Sequence, residues 1–99
     1  MTAARLIAAL IVVAPAGALA ATPEPPPGAA TCSSCHSMSR AVNTPVPRIY
    51  GRSADDVIKM LAAFRAGTRP ATVMDRISKG FTEEELRNIA AWLATQRQR

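Results

Sequence analysis

Ninety-nine residues with two cysteines, one histidine and a net charge of +5 at pH 7 allow one small domain and exclude a framework of several disulfides. The 12 Lys and Arg are spread along the chain among few aromatics, which excludes nucleic acid as a partner. The modest positive excess fits an acidic protein partner and fits an ordinary solvated surface equally.

The chain opens with the three-part pattern of a secretory signal. Arg5 supplies the positive region, Leu6 to Val13 the apolar run, and Ala18-Leu19-Ala20 the small-residue cleavage site. An uncleaved anchor is the rival reading, but a spanning helix needs about 20 apolar residues. Pro15 and Gly17 interrupt this run early. Residues 1–20 are therefore expected to be a cleaved signal peptide, the mature chain to lack a stable membrane span, and its compartment to be the periplasm. Residues 21–28, with Pro23, Pro25, Pro26 and Pro27, read as an extended Pro-rich tether. Residues 29–99 are the folded domain. A domain that small buries little core unaided and commonly needs a disulfide, a metal or a cofactor.

Ala29 to Ser39 is expected as a short helix carrying Cys-Ser-Ser-Cys-His. Residues 41–51 form a loop, because Pro45 and Pro47 lack donors and bias their predecessors away from helix. Ser53 reads as an N-cap, with Asp55 and Asp56 in the first turn where the helix dipole favours them. Val57, Leu61 and Phe64 then fall at i, i+4 and i+7, so the spacing predicts an amphipathic helix over 54–66 that stops at Gly67. From Thr68 to Lys79, Pro70 opens the stretch, a helical turn spans Met74 to Ile77, and Gly80 ends it. Thr82 and Glu85 form a capping box. Leu86, Ile89, Ala90 and Leu93 give the stripe of a terminal helix reaching about Gln96. No run alternates as a strand would, so the fold class is all-α.

Cys32-Ser33-Ser34-Cys35-His36 matches C-x-x-C-H, the attachment signature of haem c. Two cysteines three apart lie on neighbouring sides of one helical turn, so their sulfurs reach two vinyl-derived carbons along one porphyrin edge. The next residue projects over the ring, where an imidazole nitrogen meets iron. A thioredoxin-like redox pair shares the C-x-x-C but expects a βαβ context that is missing. A zinc site needs a fourth ligand, which only carboxylates remain to supply.

His36 is the single histidine, so bis-His ligation within the chain is impossible. The sixth ligand is then Met, another group or nothing. Met1 leaves with the signal, Met38 lies too close to His36 to cross the ring, and Met60 reads as a core residue of the 54–66 helix. Met74 is far enough along the chain to wrap the cofactor and return on its other face, and is taken as the distal ligand. Ile49, Leu61, Phe64, Val73, Ile77, Phe81, Leu86 and Leu93 are expected to enclose the ring. A carbonyl of the proline loop, Pro45 for choice, is expected to accept the other imidazole N–H. Tyr50, Arg52 and Trp92 are candidate propionate partners, with Trp92 alternatively packed between helices. Arg40 and Lys79 are candidates for the haem rim. A His36–Met74 pair leaves no open position for substrate, so outer-sphere electron transfer is expected rather than catalysis by this chain itself.

Phe64-Arg65-Ala66-Gly67, then Thr72-Val73-Met74, then Ile77-Ser78-Lys79-Gly80-Phe81 and a capped last helix extend the pattern beyond the pentapeptide. In these runs the chain resembles class I cytochromes c, and more narrowly the haem subunit of flavocytochrome c sulfide dehydrogenase. The likeness covers most of residues 31–96. It implies a small fold of three to four helices around one covalently bound haem, with Met74 as distal ligand. It also implies a redox partner, an FAD flavoprotein that oxidises sulfide, and a further acceptor. Ser37 stands where the family has glycine, and the connection up to Pro47 is short. Three readings compete: a free soluble cytochrome with other partners, a haem enzyme or gas sensor with an open distal site, and a thiol–disulfide enzyme using Cys32 and Cys35.

Overall fold

The computed structural model describes residues 9–14, 17 and 24–96. Among these are four helices and no strand: α1 (Ala29–Ser33), α2 (Ala54–Ala66), α3 (Met74–Lys79) and α4 (Glu83–Thr95). The all-α expectation holds. Most of the expected signal segment, Arg5 and the Ala18-Leu19-Ala20 site included, lies outside the described residues, as do residues 21–23 of the tether. Among the described residues no helix is long and apolar enough to cross a membrane.

Capping chemistry sets the ends of the two long helices. The Ser53 hydroxyl accepts the Asp56 N–H at 3.2 Å, with Asp55 and Asp56 in the first turn of α2. Gly67, at φ 72, closes α2 in the left-handed conformation that glycine adopts without steric cost. Thr82 and Glu85 complete the reciprocal box on α4: the Glu85 N–H donates to Thr82 Oγ1 at 3.1 Å, and the Thr82 N–H donates to the Glu85 carboxylate at 2.7 Å.

The short helices depart from expectation in opposite directions. α1 stops at Ser33 instead of Ser39. Its serines explain this, since their hydroxyls bond the local backbone and compete with helical continuation. Ser33 and Ser34 donate to the carbonyls of Ala30 (2.7 Å) and Thr31 (2.5 Å), and Ser37 Oγ accepts the Ser39 N–H at 3.0 Å. α3 runs two residues beyond Ile77, and the Gly80 N–H closes it on the Ile77 carbonyl at 3.0 Å.

α2 packs against both α3 and α4. The core joins Val57 of α2 with Ile89, Ala90 and Leu93 of α4, Ala29 of α1 and Tyr50 of the proline loop. Full burial of a Leu or Ile side chain stabilises by about 1.5–3 kcal/mol, so α4, burying Leu86, Ile89 and Leu93, is the main apolar wall. Gly28, at φ 85, lets the Phe81 ring lie where a Cβ would otherwise stand. That close approach seats the start of α1 beside the α3–α4 connection.

Candidate haem c site

The turn leaving α1 gathers three of the expected site residues. The Cys32 carbonyl accepts N–H groups from both Cys35 (3.3 Å) and His36 (2.8 Å). Helical curvature therefore continues through His36 after the regular helix has ended. Cys32 and Cys35 are unbridged thiols, the first half-buried and the second exposed. Burial pushes the Cys32 thiol above its ordinary pKa, and a hydrogen bond with its own backbone offsets this in part. A thiol–disulfide nucleophile needs the reverse, a lowered pKa.

His36 is 9% exposed. Its Nδ1–H donates to the Pro47 carbonyl. That oxygen can only accept, so Nδ1 carries a proton, and in the neutral ring this tautomer leaves Nε2 as the nitrogen that can bind a metal. The accepting carbonyl is thus that of Pro47, not Pro45. The loop's path decides between them. Arg48 Nη2 donates to the carbonyls of Arg40 (2.6 Å) and Val42 (3.4 Å), drawing the loop's start against its end. The Gly51 N–H donates to the Leu93 carbonyl at 2.9 Å and fastens the loop to α4.

Arg48 is a positioning residue that sequence reasoning passed over; a lone arginine beside a proline carries no pattern that marks it. Tyr50, a candidate propionate partner, lies in the core. It is 1% exposed and meets Trp92 edge-on, with ring centroids 6.1 Å apart and planes at 77°. It is a core residue, and Trp92 packs against it. Burial raises the Tyr50 phenol above its ordinary pKa, while the neighbouring Ser33 hydroxyl lowers it and the Cys32 thiol raises it. Arg52 is exposed and donates through Nε to the Arg48 carbonyl at 2.8 Å; Arg40 and Lys79 are exposed.

Met74 is the first residue of α3 and is half-buried. Met38 and Met60 pack against the core cluster, and Met74 is not among the residues that do. Its flanking residues Val73 and Ile77 are 51% and 42% exposed. Leu93 and Leu86, expected to enclose the ring, are buried, Leu93 within the α2–α4 core. Ile49, Leu61, Phe64 and Phe81 are half-buried. Among the described residues no three His, Cys, Asp or Glu side chains gather as a metal cluster, so nothing there completes a zinc site.

The residues present fit a covalently attached haem. Two thiols and an imidazole held through Nδ1 share one turn, and a thioether outside the core packing lies on an element with exposed apolar side chains beside it. Fold and donor set are those expected of a small class I cytochrome c-like chain. No family model matches it. Among curated proteins it is 37% identical over 62 residues to the cytochrome subunit of sulfide dehydrogenase of Chlorobaculum tepidum, covering 63% of this chain and 56% of that one. It is also 33% identical over 64 residues to cytochrome c-552 of Acidithiobacillus ferridurans, covering 65% of this chain and 28% of that one. The chain therefore spans about half of the first relative's length and less of the second's. One covalent haem c is the cofactor that these likenesses and the C-x-x-C-H run assign.

Proposed function

We propose that this chain is a monohaem c-type electron-transfer protein, with Cys32 and Cys35 as the thioether attachments, His36 as proximal ligand and Met74 as distal ligand. The observation that carries the reading is the His36 ring, held through Nδ1 by the Pro47 carbonyl on the same turn as both cysteines. The absence of Met74 from the core packing, against the inclusion of Met38 and Met60, supports the distal assignment.

Haem c, when bound, supplies an iron centre that takes up and releases one electron. The chain's own residues do the rest. Cys32 and Cys35 keep the group attached in a domain too small to enclose it. Pro47 fixes the imidazole's tautomer and raises its basicity as a ligand. Met74 would supply a thioether to the iron, which would leave no site for a substrate and raise the reduction potential.

The finer reading makes an exported, periplasmic protein whose signal peptide is removed. Its electrons come from an FAD flavoprotein of the sulfide dehydrogenase kind and go to a further acceptor. The first relative's name supports that partner. The test is an absorption spectrum of the haem-loaded protein, oxidised, reduced and under carbon monoxide. A low-spin spectrum unresponsive to carbon monoxide, with the Met–Fe(III) charge-transfer band, is expected. A high-spin spectrum that shifts with carbon monoxide overturns the carrier reading in favour of a haem enzyme or gas sensor. The partner is tested separately, by reduction of the cytochrome with sulfide and a flavoprotein that copurifies with it.

A further inference from the structure

Three of the 12 basic residues, apart in the sequence, meet in the fold. A cleft of about 760 Å³ opens between the proline loop and the last turn of α4, lined by Arg40, Arg48, Arg52, Tyr50, Thr95 and Gln96 among others, and by no Asp or Glu among the described residues. Arg48 and Arg52 form no ion pair among the described residues, where the salt bridge present is Arg87–Glu83 on α4. Both are already held by backbone carbonyls, Arg48 through Nη2 and Arg52 through Nε. A guanidinium carries five N–H donors, so each keeps further donors for a ligand.

Orientation by the backbone removes much of the entropy lost when a flexible arginine binds. Like charges around a concave surface also focus a positive potential there. Planar guanidinium forks match carboxylates in pairs of parallel hydrogen bonds. We propose that this cleft docks an Asp- or Glu-rich segment of a partner protein, with Arg48 and Arg52 as the carboxylate-binding groups. That the partner is a redox protein rests on the function proposed above; the docking itself does not.

The test is a titration of the full-length, haem-loaded, ferrous protein with a polyglutamate peptide, followed by backbone amide shifts. Saturable shifts at Tyr50, Gly51, Arg52 and Ala94 to Gln96 are expected, fading as salt rises. Arg52→Gln is expected to weaken binding about tenfold, while Arg87→Gln leaves it unchanged. Arg52 serves as the variant because Arg48 also holds the loop, and the unmodified protein's own shift map stands without any variant. Shifts elsewhere only, equal loss in both variants, equal occupancy by inorganic phosphate, or binding confined to phosphatidylglycerol vesicles would each overturn the proposal. The shifts do not depend on the sixth iron ligand, so a carbon monoxide-binding haem with intact peptide docking removes the electron-carrier reading alone.

Discussion

Gly28→Ala probes the joint where the tether meets the cysteine-bearing turn. Gly28 holds φ 85, and a Cβ there would overlap Cε1 of Phe81 and lie 3.1 Å from its Cζ. An alanine forced into the left-handed region costs about 1–2 kcal/mol. Displacing a packed ring costs about 1–3 kcal/mol more. The sum is about 2–5 kcal/mol, enough to lower the urea midpoint by roughly 2 M or more at a slope of about 1 kcal/mol/M. The assay is urea denaturation of the haem-loaded protein by far-ultraviolet circular dichroism, in native and Phe81→Leu backgrounds. Beside leucine the steric part is relieved and the cost falls to about 1–2 kcal/mol, the conformational part alone. An equal cost in both backgrounds would refute the Gly28–Phe81 contact, and a cost near zero would refute the backbone conformation as well.

Met74→Ala is expected to abolish the Met–Fe(III) band, admit carbon monoxide and lower the reduction potential, whereas Met60→Ala keeps the spectrum and costs about 2 kcal/mol in thermal stability. Tyr50→Phe is expected to flatten the alkaline loss of stability. The folded-state phenol titrates above its ordinary 10.0, so stability present below the unfolded value drains away as pH climbs through the folded one; midpoints between about pH 9 and 12 check this. Arg48→Gln removes the charged bonds to the Arg40 and Val42 carbonyls. A loss of about 1.5–3 kcal/mol and faster exchange of the His36 Nδ1 proton are expected by denaturation and proton NMR, and unchanged exchange would show that Arg48 does not hold the loop's path.

What was legible in the sequence follows the range of the interactions. Ser53, Gly67, Thr82 and Glu85 act on residues three or four positions away, so the ends of α2 and the start of α4 could be read from local spacing. α1 ends earlier than its spacing suggests because four serines in the Cys-Ser-Ser-Cys-His-Ser-Met-Ser stretch bond backbone groups two or three residues away, a competition that helical spacing does not register. The motif itself was plain, and so was the need for a carbonyl beside His36. Which carbonyl was not. Pro45 and Pro47 are alike locally, and the choice rests on contacts from Arg48 to Arg40 and from Gly51 to Leu93, the second joining distant parts of the chain. The core partners of Leu93 and Tyr50 were not legible for a related reason: apolar spacing says that a face is buried and does not say against what.

The same loop answers two questions that sequence reading treated separately. Pro47 supplies the carbonyl that orients His36, and the next residue, Arg48, both ties the loop's ends together and lines the basic cleft. The close spacing of these two residues has a physical consequence. A longer loop would let the carbonyl and the guanidinium move independently; here one peptide unit separates them, and the Gly51–Leu93 bond fixes their common frame to α4. Charge that looks diluted along the chain is concentrated by that frame, because Arg40, Arg48 and Arg52 recur at intervals that a folded-back loop superposes on one wall. The orientation of the imidazole and the position of the cleft are thus consequences of one piece of backbone geometry.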